Sequence, residues 1–490
     1  MLGEPIATEV LVGRLKNSES LANLPLLLNH LTPEHASELA ALIKEFPTLF
    51  SDTPTQTHVV SHDIDVGDAS PIRQRFYRVS GERQKILETE VQYLLNNDLA
   101  EQSLSSWASA CLLVKKTDGT YLFCNDYRKL NNVTKPDSFP LPRIEDCVDQ
   151  VGSAKFVSKF DLLKGYWQIP LTERAREVSA FITPKGLYAY KVMSFGLRNA
   201  PAMFQRLMNQ VTAHLEGCAV YLDDVVLSSD TWTSHLDRIR QLFTRLAQAN
   251  LTVNLAKCEF ARATVTYLGK VVGQGFVRPV RAKVMAIDSF PPPANKKELM
   301  RFLGMIGYYR SFCQNFSSVV VPLTDLLKQS KPFDWTPACQ KAFERAKRIL
   351  TSAPLLAAPQ LSKQFKLHVD ASMVGAGAVL LQGDGNGNER PVSYFSRKCN
   401  AYQLNYSTIE KEALALIWAL QTFEVYVGGS LAPIVIYCDH NPLTFLHSLQ
   451  NPNQRLMRWC IFLQPYNLDI RHSKGKENVI ADALSHAPAP

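Results

Sequence analysis

Two adjacent carboxylates interrupt an apolar, strand-forming run at Ala219-Val220-Tyr221-Leu222-Asp223-Asp224-Val225-Val226-Leu227. Short arms rich in Val, Tyr and Leu, joined by residues of Asp type, read as a β-hairpin with both acids at its tip. Carboxylates a few ångströms apart repel each other, so they hold a proton between them unless a divalent cation supplies the missing charge. Magnesium suits such oxygen donors and is the usual companion of nucleotide phosphates. A plain Asp-Asp turn is the other reading of the pair taken alone. A third acid, Asp161, ends the strand-like stretch Val157-Ser158-Lys159-Phe160-Asp161, where in isolation it reads as a helix cap or strand end.

The elements that must position these acids follow from patterning. A helix starts at Thr32-Pro33-Glu34, with Thr32 as N-cap and Pro33 in the first turn, and the polar, turn-rich stretch Ser51 to Pro71 after it reads as a leader. From Ile72 to about Asn250 helices alternate with short strands. Within that span, Leu112 to Phe123 reads as a hairpin with an Asp118-Gly119 turn and Lys115 and Lys116 on one arm. Lysines on a solvated hairpin edge also serve simply to prevent edge pairing. Phe290-Pro291-Pro292-Pro293 breaks the chain; Asn295 with Glu298 then makes a capping-box-like start, and Leu299, Phe302, Leu303 and Ile306 share one helical stripe. Lys296, Lys297, Arg301 and Arg310 make this region basic, which fits either a surface that holds a nucleic-acid duplex or a solvated helix face.

Asp161 with Tyr166, the loop Phe195-Gly196-Leu197-Arg198-Asn199-Ala200-Pro201, and Tyr221-Leu222-Asp223-Asp224 occur in that order. Together they resemble the palm of a reverse transcriptase, and more narrowly the polymerase of gypsy-class LTR retrotransposons, relatives of the retroviruses. The resemblance implies an α+β and α/β multidomain chain, a right-hand polymerase of fingers, palm and thumb. It implies that Asp161, Asp223 and Asp224 hold two Mg²⁺ ions, with Mn²⁺ as a substitute. Tyr166 would be an aromatic gate against the ribose 2′-hydroxyl, and Phe195, Gly196, Asn199 and Pro201 would support the nucleotide and template base. Lys115 or Lys116 would lie near the triphosphate, with Arg128 among the substrate-binding residues. Relatives carry Arg where this chain has Leu122, and that Arg would contact the triphosphate. Lys257-Cys258-Glu259-Phe260 and Thr266-Tyr267-Leu268-Gly269 match segments at the end of the palm and near the primer terminus. Lys257 is then either a general acid to the leaving pyrophosphate or an exposed structural lysine.

Farther on, Phe365-Lys366-Leu367-His368-Val369-Asp370 alternates as a half-buried strand does. Strands at Ala378 to Gln382 and Val392 to Phe395 follow, then a helix from Ser407, the strand Ile434 to Asp439, and a last helix holding Asn478 to Ser485. This order resembles ribonuclease H over roughly 362–487. Two helix residues two apart point about 200° away from each other, so Glu410 and Glu412 cannot do one job. Ser407-x-x-Glu410 reads as a capping box, which leaves Glu412 for the metal site beside Asp370, Asp439 and Asp482. By the resemblance these four acids are catalytic and hold a second pair of Mg²⁺ ions. His472, in a polar loop with Lys474 and Lys476, would help product leave.

Each centre would use two divalent cations about 4 Å apart to orient an in-line attack on phosphorus. The implied activity is RNA- and DNA-templated DNA synthesis together with cleavage of the RNA strand of RNA–DNA hybrids. The implied partners are an RNA template, a DNA primer, the RNA–DNA hybrid and dNTPs, and a dimer is allowed. The expected division is a leader or linker over 1–70, fingers and palm over 71–250, thumb with room for a connection over 251–361, and the ribonuclease H-like domain over 362–487. A second reading is a decayed or domesticated nucleic-acid-binding relic, and a third a cellular or telomerase-like polymerase, which the attached nuclease disfavours.

The bounds agree with these readings. A length of 490 residues, with 46% apolar content, allows about three domains. Lys plus Arg outnumber Asp plus Glu by 53 to 45, for a formal charge of +8, the right sign for a phosphate-rich partner. Ten scattered cysteines read as reduced thiols. No apolar stretch reaches membrane-spanning length, so no membrane partner is expected. The expected location is cytoplasmic, including virus-like particles, or nuclear.

Overall fold

The computed structural model describes residues 16–115, 121–329, 331–352, 355–371, 375–384, 387–428, 430, 432–438 and 454–472. The chain forms two compact units, Met1–Tyr267 and Leu268–Pro490.

In the first unit, the segment expected to be a leader is, over its described part, built into the core. Thr32 accepts the His35 amide and starts the helix Pro33–Lys44, whose Leu39, Leu42 and Ile43 are buried with Leu49, Phe50 and Ile64. The polarity of Ser51 to Pro71 has a structural use. Thr55 and Thr57 donate to the carbonyls of Asn250 and Ala249, and Asn17 donates to Ser51 and Val253 while accepting from Leu255. Side chains that looked solvated instead bond distant backbone groups, buried ones at Ala249, Val253 and Leu255 among them.

Five strands form a fingers sheet in the order Ala100–Gln102, Gly186–Tyr190, Phe181–Thr183, Ser109–Lys115, Tyr121–Asn125. The last two are the expected hairpin, with Val114 opposite Leu122 and Lys115 opposite Tyr121; its turn lies outside the described residues. The palm follows. It consists of β1 (Phe156–Asp161), α1 (Ala200–Val211), β2 (Cys218–Tyr221), β3 (Asp224–Ser229), α2 (Trp232–Gln248) and β4 (Glu259–Arg262). The strands make one antiparallel sheet in the order β2-β3-β1-β4. Residues 251–267, expected to begin the thumb, thus contain the palm's fourth strand.

The palm packs on its aromatic residues. Helix α2 buries Ile239, Leu242, Phe243 and Leu246, spaced to form one face. Phe160 of β1 meets Phe243 and Phe260 edge-on, each with centroids 5.7 Å apart, contacts worth about 0.5–1.5 kcal/mol apiece beyond buried area. Between Val157 and Lys159 the register with β4 slips, and Ala261 takes a positive φ of 43°. Ser158 Oγ accepts the Ala261 amide at 2.8 Å and lies 2.8 Å from His235 Nε2, while Ser229 Oγ lies 2.8 Å from His235 Nδ1. A fully buried imidazole therefore pins the bulge to two strands.

In the second unit, Lys270–Gly273, Phe276–Pro279 and Leu356–Ala357 form antiparallel pairs. Helix α3 (Lys296–Gly307) starts as expected at Asn295, which accepts the Glu298 amide at 2.9 Å. Its Leu299, Phe302 and Ile306 are buried, and Phe302 meets Phe343 of α4 (Pro337–Thr351) with centroids 4.5 Å apart. The nuclease sheet then runs β5 (Phe365–Ala371), β6 (Gly375–Gly383), β7 (Glu389–Lys398), α5 (Thr408–Thr422), β8 (Ile434–Cys438), α6 (Gln454–Leu463) and β9 (Leu468–His472). Strand order is β7-β6-β5-β8-β9, with β5, β6 and β7 antiparallel and β5, β8 and β9 parallel. His472 therefore ends a strand, opposite Cys438, rather than lying in a loop; His472 pairs through a backbone regularity that a short run between polar residues conceals. The edge strand β7 is latched by Ser317, whose amide and hydroxyl bond Ser396 Oγ and O at 2.9 and 2.7 Å.

Candidate active sites

Strand register builds the palm centre. Asp161, the last residue of β1, pairs directly with Asp224, the first of β3, so both side chains leave the same face of the sheet. The acids do not share the hairpin tip as expected. Tyr221 pairs with Asp224, which leaves Leu222 and Asp223 as the two-residue turn. Leu222 takes the positive φ of 56° that such a turn can demand at its first position, a conformation costing a non-glycine residue about 1–2 kcal/mol. Gln205, fully buried on α1, offsets this: its Oε1 accepts the Leu222 amide at 2.7 Å and its Nε2 donates to Val220 O at 3.3 Å. Sequence reading missed Gln205, although an amide beside Phe204 on the apolar stripe of a helix was the available signal.

The electrostatics show excess negative charge. Burial first, and then the neighbouring carboxylates, push the acids of Asp161 and Asp223 above the usual carboxylate range, while Lys257 pulls Asp161 back. Lys257 Nζ lies 3.4 Å from Asp161 Oδ1, and Lys159 Nζ 2.9 Å from Asp224 Oδ1. As placed, no three His, Cys, Asp or Glu side chains among the described residues form a metal-binding group. The donor chemistry nevertheless suits a hard divalent cation: Asp161 and Asp224 pair in register, Asp223 lies near enough to feel both charges, and the cluster already draws in two ammonium groups.

Tyr166 stands beside this centre on the turn Gly165–Gln168, its ring 4.9 Å from that of Phe195 and 5.4 Å from that of Phe204. Burial, with the nearby Asp223, pushes its phenol up to about 12. A Cβ at Gly165 would meet Phe204 Cζ at 2.9 Å and Asp223 Cβ at 3.5 Å, so only glycine lets this turn approach the acids. Phe195 is half exposed and Gly196 takes a φ of 90°. Asn131 holds the loop by donating to Gly196 O and accepting the Arg198 amide. Asn199, expected at the substrate, spends its side chain on Lys135 O and the Asp137 amide. Pro201 sits in the first turn of α1.

In the fingers, Lys115 is exposed at its strand end, and Lys116 lies outside the described residues. Leu122 is 46% exposed beside Val114, on the opposite hairpin face from Lys115. Arg128 grips Asp126 with two hydrogen bonds, Nε to Oδ1 at 2.8 Å and Nη2 to Oδ2 at 2.7 Å, and otherwise faces solvent beside Arg73, Arg75 and Lys129.

In the nuclease sheet, Asp370 near the end of β5 and Glu412 on α5 are both buried, on elements that pack together. Glu410 forms the expected capping box with Ser407, and its Oε1 also pairs with Arg455 at 2.8 Å. Asp439 and Asp482 lie outside the described residues, as does the side chain of His472.

Comparison with known proteins agrees with this architecture. Residues 114–272 match the family described as reverse transcriptase (RNA-dependent DNA polymerase), and residues 360–466 match the RNase H-like domain found in reverse transcriptase. The chain is 39% identical to the retrovirus-related Pol polyprotein from transposon 297 of Drosophila melanogaster, over 94% of this chain and 44% of that protein. It is 36% identical to the corresponding polyprotein from transposon opus of the same organism, over 92% and 47%. The transposon Tf2-3 polyprotein of Schizosaccharomyces pombe is 32% identical, over 91% and 34%. The chain thus spans less than half the length of these relatives. Among solved structures, the foamy viral protease-reverse transcriptase in complex with dsDNA superposes with a TM-score of 0.83 at 22% identity, over 96% of this chain and 99% of that one. The same viral protein in complex with RNA/DNA hybrid gives 0.79 at 21%, over 100% and 66%. That likeness establishes the fold, a reverse transcriptase followed by an RNase H-like domain.

Proposed function

From the premise that this chain carries the reverse transcriptase and RNase H-like domains of retrotransposon Pol polyproteins, we propose that it copies RNA, and then DNA, into DNA and degrades the RNA strand of the resulting hybrid. The observation that carries the reading is the registered pair Asp161 and Asp224 with Asp223 in the adjoining turn. Asp161, Asp223 and Asp224 would hold Mg²⁺, or Mn²⁺ in its place, and such an ion supplies charge that activates a hydroxyl and neutralises phosphate. The chain's own part is to fix three oxygen donors at one sheet end and to crowd the sugar. The Tyr166 ring, packed between Phe195 and Phe204, would bar an extra 2′-oxygen on the incoming nucleotide. Lys115 and Lys116 would meet its triphosphate, and Arg128, with its neighbours Arg73, Arg75 and Lys129, would meet template phosphates.

Asp370, Glu412, Asp439 and Asp482 would perform hydrolysis, with water as nucleophile and groove shape and 2′-hydroxyls selecting the hybrid. The two reactions are complementary, because copying RNA creates the substrate of the nuclease. Primer extension on an RNA template, with hybrid cleavage followed in the same tube, tests the proposal. Asp223→Asn should abolish extension and spare cleavage, and Asp439→Asn should do the reverse; an inert parent chain refutes the reading. Leu122 favours a decayed relic, since an exposed leucine cannot bind phosphate. A large gain in extension by Leu122→Arg would support that second reading.

A further inference from the structure

Lys159 lies two residues before Asp161 on β1 and so shares its face of the sheet. Its register is fixed on both sides, opposite Val226 of β3 and Glu259 of β4. The ammonium reaches Asp224 Oδ1 at 2.9 Å and donates to Thr266 O at 3.3 Å, and the side chain is only 20% exposed. Lys257 differs, since it meets Asp161 at 3.4 Å and its side chain is 55% exposed. The shorter, more enclosed contact belongs to a residue in the middle of a central strand, and neither the fold nor the proposed chemistry of the palm uses it.

We propose that Lys159 is a built-in cation which a divalent ion must displace from Asp224, so that this one side chain sets the metal dependence of polymerisation. The proposal rests on the reading of the palm as a metal-dependent centre. An ammonium 2.9 Å from Asp224 Oδ1 and a divalent ion on the same carboxylate repel each other at short range, so binding the ion drives the ammonium back. The two cations therefore compete for Asp224. The Thr266 carbonyl gives the ammonium an acceptor to keep when the carboxylate is taken, so displacement strands no unbonded charge. With little metal present, Lys159 also compensates charge that would otherwise push the three acids apart.

The test uses the full chain with Lys159→Met, which keeps the stem and removes the charge, and Lys159→Arg, which keeps the charge. Mn²⁺ is titrated without nucleotide and free Mn²⁺ is read by electron paramagnetic resonance; palm binding is the part lost in Asp223→Asn. Lys159→Met should bind palm Mn²⁺ about fivefold more tightly, the upper end of what an ion pair that keeps some exposure is worth. The half-saturating Mg²⁺ for extension should fall by a similar factor while that for hybrid cleavage stays put, and Lys159→Arg should stay close to the parent. Palm-specific binding that does not tighten in a Lys159→Met chain still able to cleave overturns the proposal. If that chain fails to cleave, Lys159→Gln, which can still donate to Thr266, decides by the same criterion. Identical Mn²⁺ binding by the parent and Asp223→Asn would instead overturn the metal reading beneath it.

Discussion

The palm and the nuclease sheet both gather acids at strand ends, but they do so by different means. In the palm the acids are set by one antiparallel register and one two-residue turn, so residues adjacent in the ladder are adjacent in space. Asp161 and Asp224 are both only partly buried, and lysines accompany them. In the nuclease unit Asp370 and Glu412 come from a strand and a helix that pack together, and they retain only 7% and 4% exposure. The first centre is thus held by hydrogen-bond register and the second by helix-on-sheet packing. They should therefore fail under different insults.

Acid should separate them most. Burial holds both His62 and His235 down to about 4, against 6.5 in an unfolded chain. Their stabilisation is complete above pH 6.5 and is lost as pH falls toward 4, because only the unfolded chain takes up protons in that window. The loss is on the order of 2 kcal/mol for each between pH 6.5 and 5. Asp161 and Asp223, whose acids are raised, act in the opposite sense and soften the fall. Hydrogen exchange at graded pH, with chelator present, should show the first unit losing protection over this range. His62→Gln with His235→Gln should flatten that loss; an unchanged slope would remove the histidines from the account.

A steric insult should come next. Gly165→Ala brings a methyl within 2.9 Å of Phe204 Cζ, and Phe204 is fully buried and cannot swing aside. The strain should displace Tyr166 and Asp223 together, for a loss of roughly hundredfold in extension, as misplacement by about an ångström commonly costs. Cleavage measured in the same sample should hold. If both activities fell equally, the two centres would not be independent.

Legibility in the sequence followed the same divide. The Asp223-Asp224 run, the Ser407 capping box and the alternation of Phe365–Asp370 were readable because each is local and periodic. The Leu222-Asp223 turn was not, since a leucine at positive φ contradicts turn propensity and is sustained only by Gln205, seventeen positions upstream along the chain and one helix away. The supposed leader was misread for a related reason. Thr55 and Thr57 look solvent-facing in sequence, but their partners lie near residue 250. Asp161 taken alone reads as an ordinary strand end; its order with Tyr166 and Asp223-Asp224 singled it out, and only the fold shows its register with Asp224.

The smallest expected effect concerns the nuclease sheet's dependence on chain outside it. Its edge strand β7 is held by Ser317, through a hydroxyl that donates to Ser396 O and an amide that donates to Ser396 Oγ, with Lys398 beside Asp325 at 3.4 Å. A free sheet edge invites pairing with another chain, and this latch covers part of one. Ser317→Ala removes one of the two bonds and should cost about 1 kcal/mol, the usual net value of such a bond. Denaturant unfolding followed through hydrogen exchange at β7 should register it, with the palm strands β1 and β3 unchanged. A loss shared equally by the palm would mean that the two units unfold as one, and the contrast between a register-built centre and a packing-built one would then have no thermodynamic consequence.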